Sequence, residues 1–543
     1  MRTRFPLRKK TAFGGMALVL ASSVALAACS TSDKGATGSS SSPSPVSSAA
    51  GSPSAKPNES KEPLAINVIA YPQAGFTPVN GSEAQKVLEQ KFNVKLNVLS
   101  VDISTPEKFN LYFAQGGTTD VMLTGRAEID PLLDQGLFRE IKMDDLYSKM
   151  PNWMKKVDSL VGDPALTKKL LTYNGKVYSI PFTHGPLMES GIMIARKDWM
   201  TNVGITKSPT TLDEFEQMLK AFTEGDPDKN GKKDTYGIHG GQRYSFNYVW
   251  GAYGFMPKTY TLQNGKVTYT SILPEYKDAL KLIAKWYKAG YIDPEFITDD
   301  RTKQRNKWSE GKFGILADNA FWMDSVRGES GVLAMVEAKN PKVEFQFMSP
   351  FKGPTGKSGS FVDFPSLRGD GAIYFGKNAS DQVVAKMMEI KEALATDWDL
   401  YKRMYYGVEG TDYTTEASGK ITVSPKLNAE AITKAGIAQT FALMPITMDW
   451  MSKTMNDRDK QFHAMSIEQP KTFNGRDFAV SGTNKSLNTK GADMMKIVDE
   501  YYFNAITGKV DIDATWDKYV DSANKAGLSD ILAEYTKMYS EGK

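Results

Sequence analysis

A single cysteine and three histidines in 543 residues exclude several chemistries at the outset. Cys29 alone can form neither a disulfide framework nor a thiolate metal site. His184, His239 and His463 show no HExxH or other metal-ligand spacing, and no G-x-S-x-G elbow offers a serine nucleophile. Charge of one sign is lacking too. The 67 basic and 63 acidic residues nearly balance, and five of the basic ones sit in the first ten positions, MRTRFPLRKK. Without them 62 basic residues face 63 acidic ones, so nothing in the composition argues for a nucleic-acid partner. The apolar run after that basic start, FGGMALVLASSVALAA at 13–28, is too short to span a bilayer and reads as a secretory signal.

The signal, 1–28, ends Leu26-Ala27-Ala28-Cys29, a lipobox. Cys29 is expected to be acylated and to become the new N-terminus; the plainer alternative is a signal peptide with an incidental cysteine. Residues 29–62 are a Ser/Pro/Ala/Gly tract with almost no large apolar side chain, which cannot bury a core and reads as a disordered stalk. Anchor and stalk together place the folded part at the extracellular face of the cell membrane, touching the lipid through the anchor only.

From about Leu64 the chain is long enough for two or three domains, or two lobes sharing one chain. INVIAY (66–71), a helix around SEAQKVLEQKF, VKLNVLSV (94–101), a helix around EKFNLYFAQ, and TDVML (119–123) give a β-α-β-α-β start of a parallel sheet. GKVYSIPF (175–182) and GIMIARKDW (191–199) read as a strand leaving one region and a strand entering another. PTTLDEFEQMLKAF carries a capping box, Thr211 with Glu214, and an apolar face of Leu212, Phe215, Leu219 and Phe222. EYKDALKLIAKWYKAG and DQVVAKMMEIKEALA repeat the helical pattern, and the chain from 485 reads mainly helical.

DPDKNGKKDTYG, Asp226–Gly237, follows the Thr211 helix and looks like a calcium loop without its last ligand. Asp226, Asp228, Asn230, Gly231 and Asp234 fit positions 1, 3, 5, 6 and 9 of an EF-hand-type loop, and Lys232 at position 7 would bind through its carbonyl. Position 12 is Gly237, which has no side-chain oxygen. A weak structural site would still fill outside the cell, in the range of Kd roughly 0.1 to 1 mM; a metal-free polar turn is the alternative.

Anchor, stalk, βαβ start, YNGKVYSIPF, IARKDWMTNVGI, PTTLDEFEQMLKAFTEGDPDKNGKKDTYGI and YYGVEGTDY together resemble the large extracellular solute-binding lipoproteins of carbohydrate ABC importers, a group that includes alginate-oligosaccharide binding proteins. The resemblance covers nearly the whole chain after the stalk. It implies a two-lobed α/β fold of the periplasmic-binding-protein type (type II), with lobes joined by crossover strands, and a helical C-terminal segment. It also implies a carbohydrate held between the lobes, an ABC permease as partner, a monomer, no catalysis, and a structural Ca²⁺ in the loop at Asp226–Asp234. Where relatives carry an acidic residue after the last Asp, this chain has Thr235. On this reading, 63–181 and 310–352 belong to lobe I, 182–309 and most of 353–484 to lobe II, and 485–543 is the helical segment.

Sugar recognition needs flat aromatic faces for pyranose C–H groups and paired polar groups for hydroxyls. Trp250, Tyr253 and Trp322 are the expected stacking platforms, with Trp450 and Tyr406 next and Asp318 as a polar neighbour; packing in a core is the alternative for each aromatic. Tyr71 and Gln73 after the first strand, Arg126 after the third and His184 after the crossover are further candidates, since ligands bind beyond the carboxyl ends of parallel strands. Arg126 or His184 would meet a uronic carboxylate or simply be solvated; the charge of the sugar stays open. Two other readings stay open as well: a peptide or signalling-molecule receptor on the same fold, and an exported polysaccharide-degrading enzyme, for which only unplaced carboxylate pairs such as Asp293 with Glu295 speak. GPTGKS (353–358) lacks the first glycine of a phosphate loop and reads as a turn.

Overall fold

LAINVIA, β-branched and alternating, forms the first strand because its inward residues Ile66 and Val68 have a core to enter. The structure is a computed structural model that describes residues 62–542 apart from 71–78, 100, 102–105, 124–128, 183–190, 242–244, 320–322, 324–330, 361–366, 369–370, 425, 439–449, 451, 454, 473–479 and 481–482. The expected signal, Cys29 and the stalk up to residue 61 lie outside the described residues.

The first pass of the chain holds β1 (Leu64–Ala70), α1 (Glu83–Phe92), β2 (Val94–Leu99), β3 (Val121–Leu123), α2 (Pro151–Val161) and β4 (Ser179–Ile180). The second holds β5 (Gly191–Arg196), α3 (Leu212–Glu224), β6 (Tyr236–Ile238), α4 (Pro274–Lys288), α5 (Arg301–Ser309), β7 (Phe313–Asn319) and β8 (Phe345–Met348). The chain then returns to the first sheet with β9 (Ile373–Phe375) and α6 (Asp381–Thr396), and ends in α7 (Lys485–Ile506), α8 (Ile512–Ala523) and α9 (Ser529–Ser540). Strand order is β2-β1-β3-β9-β4 in the first sheet and β8-β5-β7-β6 in the second. The fold is therefore a two-lobed α/β one, and the crossing expected after Phe182 lies between β4 and β5.

Both sheets are covered on both faces. In the first, Ile66, Val68, Val121 and Ile373 enter one core while Ile69, Met122 and Tyr374 enter another. In the second, Met193, Ala195 and Ile315 face α3, α4 and the C-terminal helices, while Ile192, Ile194 and Leu316 face Trp308, Leu333 and Val336. Burial on both sides explains why β5 and β7 are buried at every position and read as continuous apolar runs.

Strand pairing corrects the expected lobe boundaries. Residues 310–352 were expected with the first lobe, but β7 and β8 both pair antiparallel with β5 in the second sheet. Conversely β9 pairs with β3, and α6 packs into the first lobe's core, so the early part of 353–484 belongs there. The helical segment from 485 is present, and Met494, Val498, Tyr501, Trp516 and Tyr519 complete the second lobe's core. The chain thus passes between the lobes three times.

Local chemistry fixes the elements that carry these crossings. Thr211 caps α3 by accepting the Glu214 N–H at 3.2 Å, as the capping box requires, but Glu214 answers to the Thr210 N–H rather than to that of Thr211. GPTGKS is a turn: the Gly353 N–H donates to the Lys357 carbonyl, and Gly353 lies so close to the Ala252 carbonyl that a Cβ would fall 1.9 Å from it. On the first lobe, Glu392 of α6 accepts the backbone N–H groups of Asn152 and Trp153, so the returning segment caps α2. Tyr173 ties the crossings together. Its hydroxyl donates to Asp134 at 2.6 Å and meets the Thr483 hydroxyl, while the Arg368 guanidinium lies 5.2 Å from its ring and pairs with Asp130 at 2.7 Å.

Lys391 of α6 is fully buried, its ammonium 4.5 Å from the Trp153 ring and 4.9 Å from the Phe182 ring, just before the first crossing. Burial lowers its pKa from 10.5 to about 7, an effect the two aromatic faces partly offset. The folded protein then releases this proton above about pH 7 whereas the unfolded chain keeps it to about pH 10.4, so this group makes stability rise with pH across that window. Lys391→Met should raise the melting temperature most at and below neutral pH, by a margin worth on the order of a few kcal/mol, and the gap to the parent should close toward about pH 10. Thermal melts of both proteins across that range check it.

Candidate functional site

The pairing register shows which edge of each sheet faces the crossings. Gly191, where the chain enters the second sheet, pairs with Asn319, the last residue of β7. Since β6 runs parallel to β7 and both β7 and β8 run antiparallel to β5, the carboxyl ends of β6, β7 and β8 all lie on that side. In the first sheet Ile373, where the chain re-enters, pairs with Leu123 at the end of β3 and with Ile180 at the end of β4. The carboxyl ends of both sheets thus meet the crossings, the place where open α/β sheets take ligands. Tyr71 and Gln73 follow β1 in sequence, Arg126 follows β3 and His184 follows Phe182; these four, with Trp322, lie outside the described residues.

At the end of β7, Asp318 is 1 % exposed and does not offer its carboxylate to a ligand, as the sequence had suggested. Its Oδ1 accepts from Arg301 Nε at 3.0 Å and from Arg301 Nη2, and its Oδ2 accepts from Arg305 Nε at 2.7 Å. A buried carboxylate holds both guanidiniums because unpaired it would be costly to desolvate. Arg305 is itself buried, whereas 35 % of the Arg301 side chain remains exposed. Sequence reading missed both arginines; the signal was the i, i+4 pair in RTKQRNKW, on a helix whose first turn carries no acid.

Three of the expected platforms prove to be core residues. Trp250 is 3 % exposed and stacks on Tyr276, 5.6 Å between ring centres at 30°, with Phe246 and Phe255 around it. Gly251 explains the placement: its backbone abuts Gly359, where a Cβ would lie 2.1 Å from the carbonyl oxygen, so the short helix Asn247–Tyr253 presses on the crossing segment and turns Trp250 inward. Trp450 packs against Tyr401 at 4.3 Å and Trp398 at 5.4 Å, and Tyr406 against Tyr405 and Tyr413. Both are buried in the first lobe's core. Tyr253 is only partly buried, at the rim of the second.

The loop after α3 gathers the expected donors. Asn230 is the hub: its N–H donates to Asp226 at 3.0 Å and its side-chain amide to Asp228 at 2.8 Å and Asp234 at 3.1 Å. Gly231, at φ +76°, donates its N–H to Asp226 at 3.0 Å, and Lys232 its N–H to Asn230 Oδ1 at 2.8 Å. Partial burial, with Asp226 and Asp234 nearby, raises the pKa of Asp228. Carboxylates crowded in this way favour a cation among them. The Thr235 hydroxyl is no substitute ligand, for it is buried and donates to the Phe222 carbonyl at 2.8 Å, closing the end of α3. The donor set fits calcium with incomplete protein coordination.

A second acidic group, His239, Asp293 and Asp299, has ligand atoms within 4.8 Å of one another. Its hydrogen bonds suit an ion-pair network better than a metal. The Gly241 N–H donates to His239 Nδ1 at 3.2 Å, which places the ring proton on Nε2, 3.2 Å from Asp299. Lys307 Nζ lies 3.0 Å from Asp293 and 2.5 Å from Asp299 and Glu295. Burial lowers the His239 pKa despite the two carboxylates, consistent with a neutral ring.

Two discontinuous α/β lobes, threefold crossing and strand ends turned toward the crossings define a two-lobed solute-binding protein. The chain belongs to the family of bacterial extracellular solute-binding proteins, whose profile matches residues 83–386. That is a family of binders, not of enzymes. It is 27 % identical over 471 residues, 85 % of this chain and 88 % of the other, to the polygalacturonan/rhamnogalacturonan-binding protein YtcQ of Bacillus subtilis (strain 168). Its fold is similar to that of alginate-binding protein AlgQ2 solved without calcium ion, at TM-score 0.67 and 17 % identity over 88 % of this chain and 98 % of that one. It is also similar to an EF-hand mutant of the Streptococcus pneumoniae ABC-transporter substrate-binding protein FusA in complex with fructo-nystose, at TM-score 0.64 and 21 % identity over 88 % and 99 %.

Trp250→Ala should therefore act on stability rather than on binding. Removing a fully packed Trp costs about 3 to 5 kcal/mol, read as a lower urea midpoint with ligand affinity of the folded fraction unchanged. A normal midpoint with lost affinity would return Trp250 to the platforms.

Proposed function

We propose that this protein captures an oligosaccharide between its two lobes and hands it to the transmembrane subunits of an ABC importer. The observation that supports this most is the convergence of strand ends from both sheets on the crossings: a ligand touching both ends stabilises the closed arrangement relative to the open one, and the permease reads closure. The names of the relatives point the same way, to polygalacturonan, alginate and a fructo-oligosaccharide. Tyr71, Gln73, Arg126, His184, Tyr253 and Trp322 are the side chains proposed to meet the sugar.

Cys29 is the proposed lipid attachment after removal of 1–28, with 29–62 as tether, so that the lobes work at the outer face of the membrane. No helix among the described residues is long and apolar enough to cross a membrane. Calcium in the Asp226–Asp234 loop is proposed to be structural: Asp226, Asp228, Asn230 and Asp234 would hold it through side chains and Lys232 through its carbonyl, with water completing the shell. The ion would staple the end of α3 to the start of β6.

The test of ligand class is the melting temperature of the protein against neutral and uronic oligosaccharides and peptides. A ligand at a hundred times its Kd contributes about 2.7 kcal/mol, a shift of roughly a few degrees. A shift with glycans, and their recovery unchanged on chromatography, is the expected result; a response confined to peptides, or breakdown of the glycan, sinks the reading. For the metal, Asp228→Ala should abolish the rise in melting temperature that millimolar calcium gives the parent, while the two melt alike in chelator. An equal calcium effect on both would remove the ion from this loop.

A further inference from the structure

We infer that a groove along the outer strand of the second sheet is an accessory binding site for the far end of a long oligosaccharide, so that the protein favours longer chains over shorter ones. The inference rests on the carbohydrate reading above and adds a second place of contact to it.

The groove follows from the strand order. β8 is the outer strand of its sheet and pairs with β5 on one side only. Between β8 and the helix Asp457–Thr472 lies a cavity of about 690 Å³, within the range of pockets that bury a small ligand. Phe345, Gln346 and Ser349 line it from the strand side, and Arg458, Gln461 and Met465 from the helix.

One end of the groove lies on the side of the crossings. Ser349 directly follows Met348, which pairs with Met193 at the carboxyl end of β8. The facing wall comes straight from the first lobe: Trp450 is in that lobe's core, and the Lys453 carbonyl accepts the Ile421 N–H at 3.2 Å, five residues before Arg458. Segments leading from both lobes therefore bound the groove, and a chain held where the strands end has a path along it.

The lining selects the kind of ligand. Both cations that line the groove are paired within the protein, Lys197 with Glu344 at 2.9 Å and Arg458 with Glu337, so neither is left to seek an acid or a peptide terminus. The Arg458 guanidinium and the Trp308 ring each lie 5.7 Å from the Phe345 ring, which is thus held in place rather than offered as a platform. What remains is a set of amides and a hydroxyl, Gln346, Gln461 and Ser349, interleaved with apolar surface from Phe345 and Met465. The Gln346 side chain donates to the Phe347 carbonyl at 2.8 Å, which holds its amide at the strand and leaves its oxygen to accept a hydroxyl. An apolar ligand would strand these groups. A polyol suits them, because its hydroxyls reproduce the hydrogen bonds of the water they displace while its C–H faces cover the apolar patches.

Titration calorimetry of the full chain with galacturonate and fructose oligomers, from dimer to heptamer, tests this. Affinity should rise from the shorter members to the longer as the chain reaches the groove. Gln461→Ala should weaken the longest members roughly two- to tenfold, the weight of one hydrogen bond, and leave the shortest unchanged. Gln461→Trp fills the groove from an exposed helix position and should level the series, with an unaltered melting temperature. Gln346→Ala, on the facing wall, should repeat the loss for long members only. A parent whose affinity does not depend on length overturns the inference and keeps the carbohydrate reading; so does equal weakening at every length, which would make these glutamines structural. An extended peptide that binds the parent and is shut out by Gln461→Trp, with the glycan series untouched, would give the groove to a peptide and overturn the inference too. A parent that binds neither series also overturns it, and binding of peptides alone sinks the carbohydrate reading with it.

Discussion

Neither lobe is complete until the chain has crossed more than once, and the crossings are held together at Tyr173. The first sheet needs β9 to stand between β3 and β4, and the second core needs α7 to α9 from the end of the chain. Both returns pass Tyr173, whose ring meets Arg368 from one crossing and whose hydroxyl meets Thr483 from another. Asp130, its pKa raised by burial against the pull of Arg368, and Asp134 supply the acids of this clasp. The clasp is thus shared by segments that lead into both lobes.

Buried charge follows the same logic in the second lobe. Asp318 and the His239 network each lie beside the strand ends, and each is neutralised by neighbours on α5: Arg301 and Arg305 in one case, Lys307 in the other. One short helix therefore fixes the electrostatics of the whole edge. Replacing such groups by apolar ones often costs a fold little, so their concentration at the edge beside the crossings speaks for positioning more than for stability. At Lys391, whose ammonium lies over the Trp153 and Phe182 rings, burial lowers the pKa to about 7.

What could be read from the sequence was what local pattern determines. The βαβ start, the faces of α3 and α6, the crossing after Phe182 and the polar loop all follow from periodicity, capping and turn chemistry within a dozen residues. Lobe membership of 310–352 was not legible, because FGILADN says only that a strand is buried on both faces, not which sheet receives it. The aromatic candidates failed for a related reason: VWGAYG suits an exposed platform as well as a core, and the decision is made by Gly251 against Gly359, a contact 108 residues away in sequence. Asp318 was found as a residue of interest but with the wrong partner, since its counter-ions lie 13 and 17 residues earlier on another element.

The Asp226–Asp234 loop lacks a closing carboxylate for a packing reason. Gly237 sits in β6 with its Cα against α3, where a Cβ would lie 2.8 Å from Leu219 Cα and from its Cδ2. Any acid at that position would push strand and helix apart and open the core around Phe215 and Leu219, at a cost that overpacking sets at typically 1 to 3 kcal/mol. Thr235 is equally committed, its hydroxyl closing the last turn of α3. The fold thus uses the positions after the loop to seat β6 on α3, and the loop itself is left with three carboxylates and an amide. Outside the cell, where calcium is on the order of millimolar, a weak site of that kind suffices. The trade suits the proposed staple better than a switch that must sense.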